Sequence, residues 1–421
     1  MVRQESSIPT ADDSFHAGAA DAIGSDIYID AGRSIIKLVD LLIERAHAAR
    51  ASDLHLDPRA EALCVRLRVD GALQDAHTLP LSIHNEIISR IKILSGLRID
   101  EHYGAQDGRF RAMLPGGFPV DVRVSVMPTY YGENAVLRLL SDSAEEFSLV
   151  TLGFTPRNSE GIIRALKKPY GMILATGPTG SGKTTTMYTL LKILNEPGVS
   201  IVTLEDPIEY SLAGIRQIQI NPKAGISFGA GLRSVLRQDP NVIMVGEIRD
   251  EETAGLAINT ALTGHRILST LHTNDAATTI ARLLDMGVEP YLIASTLSIA
   301  IGQRLVRRIC ESCKSEHALS DAEIMSLSGV MPSDFLALRP RFFIGTGCSA
   351  CKGTGFYGRS GIHEVMEICP SIREAIAGKL PASEIRTAAI REGMVPLAVD
   401  GLRKAAQGMT TIDEVLKTHY E

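Results

Sequence analysis

Tryptophan is absent from this chain, and aromatic residues make up only 5% of it. A groove for single-stranded nucleic acid stacks bases on aromatic faces along a basic track, and composition offers little toward one. A basic excess is missing too. The formal net charge is −6 at pH 7, so no overall attraction to nucleic acid or anionic lipid follows, although a local basic face stays open. No run approaches the roughly 18 apolar residues of a membrane span. The longest, YLIASTLSIAIG (291–302), is short and mixed, and we read it as a core helix. The start, MVRQESSIPTADDSF, is polar and acidic and lacks the apolar stretch of a secretory signal. We therefore expect a soluble, cytoplasmic chain that reaches a membrane only by docking on a membrane protein. Cysteine is sparse. Four of the six cysteines form two CxxC pairs, Cys310/Cys313 and Cys348/Cys351, and in a reducing compartment that spacing favours metal over a structural disulfide.

The chain has 421 residues, enough for two or three domains. Residues 1–32 lack apolar periodicity and are expected to be a disordered tail. From 33 to 145 the pattern is α+β: amphipathic helices in SIIKLVDLLIERAHAAR and IHNEIISRIKILSGL, strands in ASDLHLDP and ENAVLRLL, and hairpins in CVRLRVDGALQ and RFRAMLPGGFPVDVRVSVM. Residues 146–159 read as a linker. From 160 to 421, buried strands (GMILAT, SIVTLE, NVIMVGE, RILSTLH) alternate with helices, which predicts a mainly parallel α/β sheet. A cysteine region at about 308–356 and short C-terminal helices follow.

GPTGSGKT fits the phosphate-binding pattern G-x-x-x-x-G-K-[ST] in full, between an apolar strand and a helix-compatible run. Gly177, Pro178, Thr179, Gly180, Ser181 and Gly182 would turn backbone N–H groups around phosphate oxygens. The following helix, from Lys183 through Thr184 and Thr185, adds its positive end. Lys183 is expected at the β/γ-phosphates of ATP and the Thr184 hydroxyl at Mg²⁺. The bland alternative is a chance glycine turn. Acids for hydrolysis belong at the carboxyl edge of such a sheet. Glu247, just past NVIMV, is the candidate for polarising the attacking water. The strand itself ends in Val245-Gly246, not in the usual Mg²⁺-binding aspartate. VTLEDPIEY adds Glu205, Asp206 and Glu209, each of which alone reads equally as a solvated carboxylate. His272, at the carboxyl end of its strand, is placed to sense the γ-phosphate. His265, at the other end, is expected to make a subunit or structural contact.

Two CxxC knuckles supply four thiolates, the set for a tetrahedral Zn²⁺ site. Redox cysteines or unliganded thiols are the alternatives. Cys64 reads as strand packing, and Cys369 as the end of the strand HEVMEIC. A chaperone-type zinc module would show several CxxCxGxG repeats, and one copy is present.

Together these motifs resemble the secretion ATPases of type II secretion and type IV pilus assembly. GPTGSGKTTT resembles their Walker A, VTLEDPIEY their Asp box, LRQDPNVIMVGEIRDEETA their Walker B and TALTGHRILSTLHTNDA their His box. ASDLHLDP, LRVDGAL, GAQDGRF and DVRVSVMPTYYGENAVLRLL resemble their second N-terminal domain. The resemblance runs from about residue 35 to the end. It implies a RecA-like P-loop NTPase domain behind a smaller α+β (PAS-like) domain, and a hexameric, Mg²⁺-dependent ATPase at the cytoplasmic face of the inner membrane. The implied partners are a membrane platform protein and the cytoplasmic domain of a membrane-anchored adaptor, with no stable nucleic acid. It assigns Arg109 and Arg123 to the γ-phosphate on domain closure. It also agrees with zinc, since assembly ATPases commonly carry the tetracysteine subdomain and the related retraction ATPases lack it. Two departures stand out. His102, Tyr103, Gly104 and Ala105 precede QDGR, where the family often has basic residues and a proline. Only a short tail is expected where many relatives carry a further docking domain. The competing readings are a DNA-translocating motor, a nucleotide-switched scaffold without turnover, and a zinc-based chaperone.

Overall fold

A computed structural model describes residues 34–141, 147–320 and 341–420, together with Ile27 and Met325. The expected tail at 1–32 and the helical insertion LSDAEIMSLSGV fall almost wholly outside the described residues. The chain divides into two compact units, residues 1–144 and 145–421.

In the first unit six strands form one antiparallel sheet: β1 (Ala51–Pro58), β2 (Ala62–Val69), β3 (Ala72–Pro80), β4 (Gln106–Leu114), β5 (Phe118–Thr129) and β6 (Gly132–Ser141), in the order β3-β2-β1-β6-β5-β4. Alternation along each strand decides the faces. In β5, Val120, Val122, Val124 and Val126 are buried, while Asp121, Arg123 and Ser125 face the other way. The apolar face packs under the helices Ile35–Ala48 and His84–Leu94 through Leu38, Leu42, Ile43, Ile87, Ile88 and Ile91. The Asp-Gly turn forms where the sequence places it. Asp70 (φ 50°) and Gly71 (φ 88°) both adopt the left-handed conformation that a two-residue β2–β3 turn demands.

The second unit holds a seven-stranded sheet of β7 (Gly171–Thr176), β8 (Ile201–Glu205), β9 (Arg216–Gln219), β10 (Val242–Val245), β11 (Arg266–Leu271), β12 (Leu297–Ile309) and β15 (Phe356–Glu367). Their order is β15-β12-β7-β11-β10-β8-β9. All neighbours are parallel except β12 and β15. β7, β8 and β10 are buried along their whole length, with apolar clusters on both faces of the sheet. Among the described residues, β13 (Lys314–His317) and β14 (Phe342–Gly345) form a separate two-stranded antiparallel sheet.

One expectation is corrected here. YLIASTLSIAIG is not a single core helix: a helix covers only Pro290–Thr296, and β12 begins at Leu297. β12 fills the edge of β7 away from β11, pairing Leu297 with Met172 and Gly302 with Thr176. A strand buried on both faces shows no alternation, so its apolar run looks like a buried helix. A smaller correction concerns Cys369. β15 ends at Glu367, and Cys369 caps the helix Pro370–Ala377. Within 146–159, Leu149 and Phe154 pack into the second unit's core, and a helix starts at Pro156 behind the Thr155 cap. Among the described residues, no helix is long and apolar enough to cross a membrane.

Candidate active site

The GPTGSGKT loop leaves the carboxyl end of β7 and enters the helix Lys183–Leu194. Gly177, Gly180 and Gly182 have φ of 151°, 79° and 86°, conformations that side chains with a Cβ rarely adopt. At Gly177 space forbids one as well, since a Cβ would lie 2.5 Å from the Gln303 carbonyl and 2.6 Å from Ser181 Oγ. Gly182, at the N-cap, offers the helix no side-chain hydrogen bond, so the first-turn N–H groups are left to an anion. Ser181 Oγ is buried without a hydrogen-bond partner among the described residues. Left-handed glycines, an uncapped helix start and an orphaned hydroxyl together fit a phosphate chain. Thr184 and Thr185 sit half-buried in the first helical turn.

Lys183 Nζ donates to the carbonyls of Gly177 at 2.7 Å and Pro178 at 3.0 Å. Burial pushes its pKa down to about 8, with Glu247 opposing the shift and Arg304 adding to it. A bound phosphate restores the proton, so above that pH binding must take one up. Nucleotide affinity is then expected to fall by up to about tenfold per pH unit above about pH 8. Fluorescent-ADP titrations across that range check this, and a flat profile contradicts it.

Glu247 stands two residues beyond β10. Its loop is pinned on both sides by Gly246 N donating to Leu204 O (2.8 Å) and Ile248 N to Thr270 O (3.0 Å). The carboxylate receives Arg249 at 2.6 Å and lies 3.4 Å from His272 Nε2. Burial holds the His272 pKa below the usual histidine value, with the Lys183 charge acting the same way and Glu247 opposing. The segments that follow three neighbouring strands, β7, β11 and β10, carry Lys183, His272 and Glu247, which feel one another's charge.

Glu205 lies elsewhere. It is 2% exposed and accepts hydrogen bonds from Tyr188 Oη, from Thr203 Oγ1 at 2.5 Å and from Gln217 Nε2 at 3.1 Å. Burial, and then Glu205, push the Tyr188 pKa well up, so the phenol stays a donor. Glu209 is half-buried beside this knot, its N–H donating to Tyr188 Oη at 3.3 Å. Asp206 is exposed ahead of the cis Asp206–Pro207 bond. His265 sits at the opposite edge of the sheet, its carbonyl accepting from Gly171 N at 3.1 Å. Sequence reasoning missed Tyr188, Gln217, Gln303 and Arg304. The one signal for the last two is a polar pair closing the apolar run IAIG.

In the first unit, Arg109 on β4 faces Arg123 on β5, and Arg123 faces Arg138 on β6. Like charges directly opposite cost roughly 0.2–1 kcal/mol per pair. Neighbouring acids soften this: Arg138 lies 3.0 Å from Asp53, and Arg111 and Asp121 form a bidentate pair. A row of guanidinium groups on one face suits an anion with several oxygens.

The four cysteines meet as one cluster, their Sγ atoms all within 4.8 Å of one another. Cys310–Cys348 and Cys313–Cys351 are 3.8 Å apart, and Cys348–Cys351 3.7 Å. A tetrahedron with metal–sulfur bonds of about 2.3 Å has sulfur–sulfur edges of about 3.8 Å. A disulfide would be near 2 Å. Backbone N–H groups of Cys348 (3.1 Å) and Gly355 (3.2 Å) donate to Cys351 Sγ and favour a thiolate. The set fits zinc.

Comparison with known proteins identifies the family. Residues 30–417 match the family described as Type II/IV secretion system protein. The chain is 47% identical over 385 residues to the type IV pilus assembly ATPase PilB of Thermus thermophilus, covering 91% of this chain and 43% of that one. It is 41% identical over 412 residues to type II secretion system protein E of Aeromonas hydrophila, covering 97% and 80%. It thus spans less than half the length of the Thermus relative. The crystal structure of the pilus retraction motor PilT with bound ADP superposes with a TM-score of 0.61 at 25% identity, covering 89% of this chain and 95% of that one. On the profile match and these identities, the chain belongs to the Type II/IV secretion system protein family.

Proposed function

We propose that this chain is a Mg²⁺-dependent ATPase that powers assembly of a type IV pilus or a type II secretion pseudopilus. The observation that carries the reading is the convergence of Lys183, Glu247 and His272 at the carboxyl edge of the sheet, beside a glycine loop shaped for phosphates. Lys183 and the helix start at Gly182 hold the β/γ-phosphates, and Thr184 offers its hydroxyl to Mg²⁺. Glu247 takes a proton from the attacking water, with His272 and Arg249 fixing the carboxylate. The metal, when bound, neutralises charge on the transferred phosphoryl group. Arg109 and Arg123 bring further positive charge to the γ-phosphate when the two units close, so that chemistry and movement are linked. Glu205 and Glu209 act through the Tyr188 knot, which sets the shape of the loop after β8.

The rest of the proposal follows the assembly ATPases that the sequence motifs resemble, and the four-cysteine cluster supports it. The chain works as a homohexamer in the cytoplasm, on an inner-membrane platform protein and a membrane-anchored adaptor, with membrane contact indirect. Cys310, Cys313, Cys348 and Cys351 hold a structural zinc. The units are a 33–145 N-terminal domain, a 146–159 connection and a 160–421 motor.

Steady-state turnover of ATP by the purified chain, with and without Mg²⁺, tests the reading. Glu247→Gln is expected to lower kcat by about 10²–10³-fold and to leave ADP affinity within a few-fold. Absence of Mg²⁺-dependent turnover, or a Glu247→Gln variant as fast as the parent, would refute it. Single-stranded DNA that stimulates turnover in a salt-sensitive way would move the task to nucleic acid.

A further inference from the structure

β12 completes its pairing with β7 at Gly302, opposite Thr176. The next two residues are polar, yet Gln303 is only 2% exposed and Arg304 only 6%. Gln303 turns to the phosphate loop. Its Nε2 donates to the Ser181 carbonyl at 2.6 Å, and its Oε1 accepts from Thr186 Oγ1 at 2.9 Å. Its own carbonyl is the atom that crowds Gly177. Arg304 turns the other way. One guanidinium nitrogen donates to the Gln303 carbonyl and the other to the Asn274 carbonyl, each at 3.1 Å.

Asn274 lies two residues past His272, in the loop from β11 to the helix Thr278–Asp285. The far side of that loop is held independently. Ala276 N donates to Glu364 Oε1 at 3.1 Å, and Arg386 lies 3.5 Å from Asp275 Oδ2. Its near end is anchored by Thr176 Oγ1, which accepts from Thr273 N at 3.0 Å. Between these anchors, Arg304 adds a tie at Asn274 from the middle of the loop to the strand that crowds the phosphate cradle. A buried guanidinium spanning two carbonyls is a costly joint where apolar packing would suffice for stability. Its rigid planar fork carries displacement from one carbonyl to the other, which apolar packing does not.

We propose that Gln303 and Arg304 are positioning residues that relay phosphate-loop occupancy to the loop bearing His272. A phosphate drawn into the cradle re-seats the Ser181 peptide and Gln303 follows. Arg304 then sets Asn274, and with it the approach of His272 to Glu247. Neither residue touches the reacting atoms. The relay rests on the reading of the cradle as a nucleotide site and supplies its link to the histidine.

Hydrogen–deuterium exchange of the full chain, with and without Mg-ADP, tests the relay apart from turnover. In the parent, ADP is expected to slow exchange across both 177–186 and 272–277. In Arg304→Ala the protection of 177–186 stays while that of 272–277 drops by at least about tenfold, and Arg304→Lys recovers part of it. In kinetics the same variant loses kcat by about 10–100-fold with KM within about threefold, whereas Gln303→Ala raises KM. A merely structural role would weaken protection equally with and without ADP. Should Arg304→Ala fail to melt cooperatively, Arg304→Gln carries the comparison. Parent-like ADP protection of 272–277 in the folded variant overturns the relay, as does a parent in which ADP protects 177–186 alone. A parent in which ADP protects neither segment overturns the nucleotide reading itself, and the relay with it.

Discussion

Lys183→Ala is expected to lower ATP turnover by about 10³-fold or more and to weaken ADP binding by about 10–100-fold. The size follows from where the ammonium sits. It is 8% exposed and held by two carbonyls of its own loop, so its charge acts in a poorly screened pocket at the place where phosphate charge arrives. Alanine removes that charge and leaves both carbonyls without their donor. Lys183→Arg is expected to rescue little, because the loop closes around a compact ammonium and a planar guanidinium cannot use the same two carbonyls. Steady-state kinetics and fluorescent-ADP titration measure the two losses separately. Turnover within tenfold of the parent would place the hydrolytic site elsewhere.

Emptying the proposed zinc site is expected to have the second large effect. Cys351→Ser, or exhaustive chelation, is expected to drop zinc from about one per chain to near zero and to lower the melting temperature by about 10 °C or more. The loss should spread beyond the cluster. Cys310 N donates to the Gly355 carbonyl and Ile309 N to the Met409 carbonyl, so the end of β12, the knuckles and the C-terminal helices share one set of ties. Phe342 on β14 packs with Leu402, Ala405 and Val415 of those helices. Cys351 is the decisive position because two backbone N–H groups converge on its sulfur. Elemental analysis with calorimetry decides the matter: a metal-free preparation with the parent's melting temperature would reduce the cluster to unliganded thiols.

Much of this site was legible in the residues themselves, and the reasons differ from part to part. The phosphate loop declares itself because its function is made by consecutive residues. The cysteine cluster is nearly as plain, since each half is a local knuckle and thiolate chemistry leaves few other uses for four of them. Arg109 and Arg123 are the opposite case. Nothing local separates them from ordinary strand arginines, and only strand register puts them opposite one another with Arg138 beside them. Glu205 and Glu247 look alike in sequence, one ending a buried strand and the other just past one. Packing separates them: Tyr188, Thr203 and Gln217 enclose the first, while the second meets Arg249 and His272. β12 hid for a different reason. With both faces covered, its apolar run carries no period, so nothing in the sequence singles out Gln303 and Arg304 just past it.

The close approach of β12 to Gly177 has a bearing on how relatives of this chain are judged. The first glycine of the loop is dictated by a neighbouring strand's backbone and would remain dictated by it in a descendant that had stopped hydrolysing anything. Its persistence therefore reports inheritance of the scaffold. The fate of Glu247, which the scaffold does not require, is the better witness to whether such a descendant still runs.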